Sequence, residues 1–320
     1  MRNLMKASYF KEFGELEDEQ FKTGELELPE PGEGEVLVKI KAAGINPVDA
    51  AIAKGMLNEM LPAEFPVIPG WDMAGVVEKR GHAARRFDEG DEVYAYARRP
   101  QIKWGTFAEY TVIPESYLAS KPETLSMEEA AGIPLAGLTA YQSLFDAADL
   151  SEKDTVAILG ASGGVGSIAI QLAKAEGANV IGVASEKNHT FMKELGADHV
   201  IDYSAGDVGE SIKKIYPDGI DVIFHCSRGN SLDQCLQASV LKKGGRLVSI
   251  TKSQPEISDD IAFNYVFVEP NATELDHLRQ LADAGKLKIE VSGTYELDEV
   301  GEAMRQIEQL HTRGKLVIKP

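Results

Sequence analysis

At 320 residues, with 43 % apolar and 26 % charged side chains, the chain has the make-up of a soluble protein of about two domains. A net charge of −18 argues against nucleic acid as a partner, because phosphate binding needs a basic surface. No apolar run is long enough to span a bilayer, and the opening MRNLMKASYFKEFGE has no secretory-type apolar segment, so a cytoplasmic location and no membrane partner are expected.

Residues 1 to 122 read as short strands between glycines and prolines. EVLVKIKAA puts Val36, Val38 and Ile40 on one face, and DMAGVVEK, DEVYAYA and GTFAEYTVIP follow the same habit. The character changes at SMEEAAGIPLAGLTAYQSLF, where Ser126 and Glu129 have capping-box spacing ahead of an alanine-rich helical stretch. Strand and helix patterns then alternate: TVAILGA, GSIAIQLAKAEG, NVIGVAS, HTFMKELG, HVID, VGESIKKIY, DVIFHC, SLDQCLQASV and GRLVSIT. Short, unbroken apolar strands between helices predict an α/β, doubly wound parallel sheet covered on both faces. From about residue 257 the pattern loosens, ending in the strand GKLVIK. Cys226 and Cys235 make neither a disulfide framework nor a zinc-finger spacing, and fit a reducing compartment.

The segment AILGASGGVGSIAIQLAKAEGANVIGVAS carries the most chemistry. Ala161, Ser162, Gly163, Gly164, Val165 and Gly166 align with GxGxxG, with Ala161 in the first glycine place and Gly160 just before it. A dinucleotide loop needs a tight turn, open backbone beside the diphosphate and close helix packing; Gly163 meets the second need and Gly166 the third. The helix start offers its free N–H groups and positive dipole end. About twenty residues on, where NAD enzymes carry an acid, stand Ser185, Glu186 and Lys187. Ser185 and Lys187 suit a 2′-phosphate and point to NADPH, whereas an inward Glu186 would favour NAD. Tyr203 either closes over the adenosine side or is a half-buried strand-end residue.

The order of GINPVD, FPVIPGWDMAGVVE, GTFAEYTVIP, AAGIPLAGLTAYQSL, ASGGVG, LGADHVIDY and RGKLVIKP resembles the zinc-independent quinone oxidoreductase branch of the medium-chain dehydrogenase/reductase superfamily. The resemblance implies a GroES-like β-rich catalytic domain, 1–122 plus 258–320, around a Rossmann cofactor domain, 123–257. It also implies NADPH as cofactor and a homodimer. It further places Thr139 near the nicotinamide and Arg313 within reach of the 2′-phosphate, a solvated arginine being the alternative.

The zinc alcohol dehydrogenases that resemble this chain hold their catalytic metal by a cysteine in the GINPVD place and a histidine–glutamate pair in the GWD place. Here those positions are Asn46, Trp71 and Asp72, and the stretch from Gly90 to Pro114 lacks the cysteines of a structural zinc lobe. An amide and an indole are poor zinc ligands, so no metal is expected. Without a Lewis acid the substrate must itself be electron-poor, a quinone or an α,β-unsaturated carbonyl. Asn46 is then expected to donate to the developing oxyanion and Asp49 to hold Asn46 or its loop in place; a turn asparagine before proline is the alternative. Tyr94, Tyr96 and Trp104 are either cleft-lining or core, and His225 and Cys226 read as buried packing residues. An enoyl-thioester reductase on the same scaffold would need a basic channel, and no Lys/Arg cluster stands out beyond KRGHAARR, Lys79 to Arg86. A non-catalytic NADPH-binding protein is a third reading.

Overall fold

A computed structural model describes residues 3–17, 19–310 and 312–320. The chain begins β1 (Leu4–Tyr9), β2 (Lys22–Glu27), β3 (Glu35–Ile45), α1 (Pro47–Ala53), β4 (Ala63–Ile68), β5 (Asp72–Arg80), β6 (Glu92–Tyr96), β7 (Ile102–Trp104), β8 (Tyr110–Pro114) and β9 (Leu118–Ser120). It continues α2 (Met127–Ala131), α3 (Pro134–Tyr141), β10 (Thr155–Leu159), α4 (Gly164–Glu176), β11 (Asn179–Ala184), α5 (His189–Glu194), β12 (His199–Asp202), α6 (Val208–Ile215), β13 (Ile220–His225), α7 (Ser231–Gln237), β14 (Leu241–Ser249) and β15 (Ala262–Tyr265). The last elements are α8 (Ala272–Asp283), β16 (Val291–Glu296), α9 (Val300–Glu308) and β17 (Lys315–Lys319). No helix among the described residues is long and apolar enough to cross a membrane.

Two compact units form. One comprises Met1–Leu138, Glu269–Gly285 and Ile289–Pro320, the other Thr139–Val268 and Lys286–Lys288. The first holds a mainly antiparallel sheet in the order β16-β17-β3-β5-β6-β9, with β8 also pairing β3. β3 shows why it forms: Val36, Val38 and Ile40 are buried while Lys39 and Lys41 face out. Each such buried aliphatic contributes on the order of 1.5–3 kcal/mol. In β17, Leu316, Val317 and Ile318 are buried, and antiparallel pairing sets Leu316 against Ile45 of β3.

The second unit is a six-stranded parallel sheet, β12-β11-β10-β13-β14-β15. Val156 to Leu159 of β10 are fully buried, as expected for a strand covered on both faces. The core around them includes Ile181, Val183, Val208, Ile223 and Leu247.

The division between units falls at 138/139 and 268/269, with Lys286–Lys288 also in the parallel-sheet unit. On the N-terminal side, α2 begins with the expected capping box, the Ser126 N–H donating to Glu129 and the Glu129 N–H to Ser126 Oγ. This helix lies so close on β3 that a Cβ at Gly44 would come within 2.3 Å of the Ala131 carbonyl oxygen. On the C-terminal side, β15 extends the parallel sheet beside β14, which keeps residues to 268 with that sheet.

Candidate functional site

In the parallel-sheet unit the strand order reverses between β10 and β13, the position where open α/β sheets bind ligands beyond their strand ends. β10 delivers the chain into the glycine loop at this point. The left-handed turn is made by Gly160 (φ 96°) and not by Ala161, which is an ordinary buried residue. Gly166 packs the helix on the loop: a Cβ there would lie 2.2 Å from the Gly160 carbonyl oxygen. Gly163 caps α4 without a side-chain hydrogen bond, and a Cβ on it would meet no protein atom closer than 3.6 Å. Open backbone at the N-terminus of a 13-residue helix, with Gly164 and Val165 in its first turn, fits a diphosphate. The residues present therefore fit a dinucleotide.

The end of β11 beside the glycine loop is organised by a residue that pattern reading missed. Asn188 Nδ2 donates to Ser162 Oγ (3.1 Å) and lies 3.3 Å from Ser185 Oγ, tying the loop to the end of β11. Its only sequence signal is a polar residue in SEKN just past the strand. Ser185 is half-buried beside it, Glu186 and Lys187 are both exposed, and Tyr203 is 48 % exposed after β12. Thr139 is buried in α3. Arg313, in the other unit, donates to Glu290 at 2.8 Å.

His225 ends β13, level with Leu159 and Ser249. Ser249 Oγ and Thr251 Oγ1 both lie within hydrogen-bond distance of His225 Nδ1, at 3.0 and 3.2 Å. His225 Nε2 is buried without a hydrogen-bond partner among the described residues. Burial pushes His225 down to about 4, so the ring is neutral. Burial pushes the Cys226 thiol up to about 12, far from nucleophilic.

In the β-rich unit, β3 ends at Ile45 and Asn46 begins α1, with Pro47 as the first helical residue. A buried polar cluster gathers here. Asp49 Oδ2 accepts the Asn46 backbone N–H at 2.8 Å, closing the turn. The Asn46 side chain turns elsewhere. Its Nδ2 donates to Asp72 Oδ2 (2.8 Å), and its Oδ1 accepts from Lys315 Nζ (2.5 Å). A carboxylate cannot donate and an ammonium cannot accept, so the amide orientation is fixed by its neighbours. Asp72 Oδ1 accepts the Leu135 N–H at 2.8 Å, and Lys315 Nζ also donates to the Ile45 carbonyl oxygen at 2.9 Å.

Burial dominates the electrostatics of this cluster. It pushes Asp49 up to about 8, against the pull of its backbone hydrogen bond to Asn46. It raises Asp72 to about 6, with Lys315 opposing. It lowers Lys315, with Asp72 and then Asp49 opposing. Asp49 Oδ1 meets no hydrogen-bond partner of good geometry among the described residues, although the Gly70 backbone N–H opposes the rise.

The donor set does not suit zinc. Trp71 is buried edge-on to Tyr96, Asn46 and Asp72 are engaged with each other and near an ammonium, and no three His, Cys, Asp or Glu side chains converge among the described residues. Tyr94 is a core residue whose hydroxyl donates to the Leu275 carbonyl oxygen at 2.5 Å. Trp104 is half-buried, with Lys103 over its ring.

The chain matches two family models: the alcohol dehydrogenase GroES-like domain over residues 32–123 and the zinc-binding dehydrogenase domain over 195–318. It is 34 % identical to the NADPH-dependent alkenal/one oxidoreductase of Arabidopsis thaliana, over 99 % of this chain and 80 % of that one. It is 32 % identical to the chloroplast envelope quinone oxidoreductase homolog of the same plant, over 92 % and 93 %. Among solved structures, the quinone oxidoreductase from Coxiella burnetii is 31 % identical with a TM-score of 0.86, covering 99 % of this chain and 100 % of that one. With a glycine loop at a sheet switch point, a GroES-like unit and these full-length relatives, the chain belongs to the medium-chain dehydrogenase/reductase superfamily.

Proposed function

We propose that the protein is an NADPH-dependent reductase that passes hydride to an electron-poor acceptor, a quinone or an α,β-unsaturated carbonyl, without zinc. The observation that carries this reading is the buried Asn46 amide, held by Asp72 and Lys315 where the metal-dependent relatives would need a ligand. The names of the similar plant enzymes support the substrate class.

When bound, the reduced nicotinamide supplies the hydride. Gly163 leaves room for the diphosphate, and the first turn of α4 offers it N–H groups. Ser185, Lys187 and Tyr203 surround the end of the adenosine side, and Lys187 supplies the cation that a 2′-phosphate requires. As hydride reaches the β-carbon of an enone, negative charge moves to the carbonyl oxygen. Asn46 has one Nδ2 hydrogen committed to Asp72 and a second to give to that oxygen, a contact worth roughly 10²–10³ in rate. Asp49 keeps the Asn46 backbone fixed while this happens.

The test is NADPH and NADH oxidation by the purified protein with quinones, enones and enoyl thioesters. Faster turnover of quinones or enones, with NADPH preferred, supports the reading. Preference for thioesters selects the second reductase activity, and cofactor binding with no turnover across the panel selects a binding protein.

A further inference from the structure

We propose that Lys315 is a positioning residue for this reaction, an ammonium built into the core that orients and polarises the Asn46 amide. The proposal rests on the reductase reading above.

Its side chain is only 5 % exposed, and lysine is among the residues least often found in that state. Removing an ammonium from water is costly unless it is paired and hydrogen-bonded. Packing alone does not call for it: Lys315 opens β17, where Leu316, Val317 and Ile318 are the buried aliphatic residues, and its ammonium is spent on the buried polar groups around Asn46 and Asp72. The pairing of Leu316 with Ile45 brings Lys315 alongside Asn46.

Three oxygens surround the ammonium: the Ile45 carbonyl at 2.9 Å, Asn46 Oδ1 at 2.5 Å and Asp72 Oδ2 at 3.7 Å. It is an oxygen-lined cation site in which the cation is covalently part of the chain. Two effects on Asn46 follow. The ammonium fixes which end of the amide is oxygen, so Nδ2 must face Asp72 and the remaining N–H has a single direction. Donation to Oδ1 also draws electron density toward that oxygen, which strengthens the N–H groups as donors, as in any polarised chain of hydrogen bonds. Lys315 touches Asn46 and not the reacting atoms, so its influence must pass through the amide.

Variants separate charge from packing. Lys315→Arg keeps the charge, and Lys315→Gln keeps a donor without it. We expect Lys315→Gln to lower kcat about 10- to 100-fold on an enone with KM within about threefold, and Lys315→Arg to recover most of that loss. A second readout needs no substrate: the Asn46 side-chain amide proton resonances should move upfield in Lys315→Gln and stay near wild type in Lys315→Arg. If Lys315→Gln does not fold, Asp72→Asn/Lys315→Gln removes the Asp72 carboxylate left without its counter-ion and takes its place, compared against Asp72→Asn alone. Unchanged kcat and unchanged amide resonances in the neutral variant would overturn the proposal. Absence of quinone or enone turnover by the wild type would overturn the reductase reading instead, and the amide resonances would still report on the Lys315–Asn46 contact.

Discussion

Asn46 begins a helix, where a short polar side chain ordinarily folds back onto free N–H groups. Here Asp49 does the local work and the Asn46 side chain is released for Asp72 and Lys315. Asp49 itself is a carboxyl raised to about 8 by burial. A group whose folded value lies above its unfolded 3.8 contributes stability fully below that unfolded value and loses it as pH rises through 8. The wild type should therefore lose stability between about pH 4 and 8 relative to Asp49→Asn, in which no proton can leave. Parallel melting curves in denaturant across that range measure it; identical pH slopes would contradict the assignment. Asn46 and Asp49 were legible in GINPVD because residue type and spacing are local. Lys315 was not, since a lysine opening an alternating strand reads as a solvated end, and only the β3–β17 pairing makes it a neighbour of Asn46.

At the scale of elements, the β10–α4 turn assigns different jobs to glycines that look alike in sequence. Gly166→Ala must force a Cβ against the Gly160 carbonyl oxygen at 2.2 Å, and overpacking of this kind costs about 1–3 kcal/mol. Gly163→Ala meets nothing closer than 3.6 Å, so melting temperature should stay within a degree or two while the added methyl fills the diphosphate cradle. The expected result is an NADPH affinity at least about tenfold weaker, roughly 1.4 kcal/mol, by fluorescence titration. Full affinity in a stable Gly163→Ala protein would move the diphosphate elsewhere. This turn was readable because glycine spacing after an apolar strand has few other causes. What pattern could not supply was the tertiary detail. Gly160 takes the turn in place of Ala161, Asn188 bridges Ser162 and Ser185, and β15 stays with the parallel sheet.

At the scale of the whole molecule, the parallel sheet ends at β15, whose second edge pairs with no described strand and carries the 45 % exposed Tyr265. Open edges invite pairing with another chain, and this supports the expectation of a homodimer. Light scattering after gel filtration should give about twice the 34.7 kDa chain mass, and a monomer would contradict it. The same alternation that identified the sheet also predicted its two-faced burial, whereas the cut between units depended on side-chain and strand contacts that no local pattern contains.

The proposed reduction depends most on Asn46 acting on charge that develops during hydride transfer. The direct measurement is single-turnover hydride transfer to an enone by Asn46→Ala beside the wild type, with NADPH affinity measured separately. We predict a rate lower by about 10²–10³ with cofactor affinity unchanged; a rate within about threefold of wild type would contradict the account.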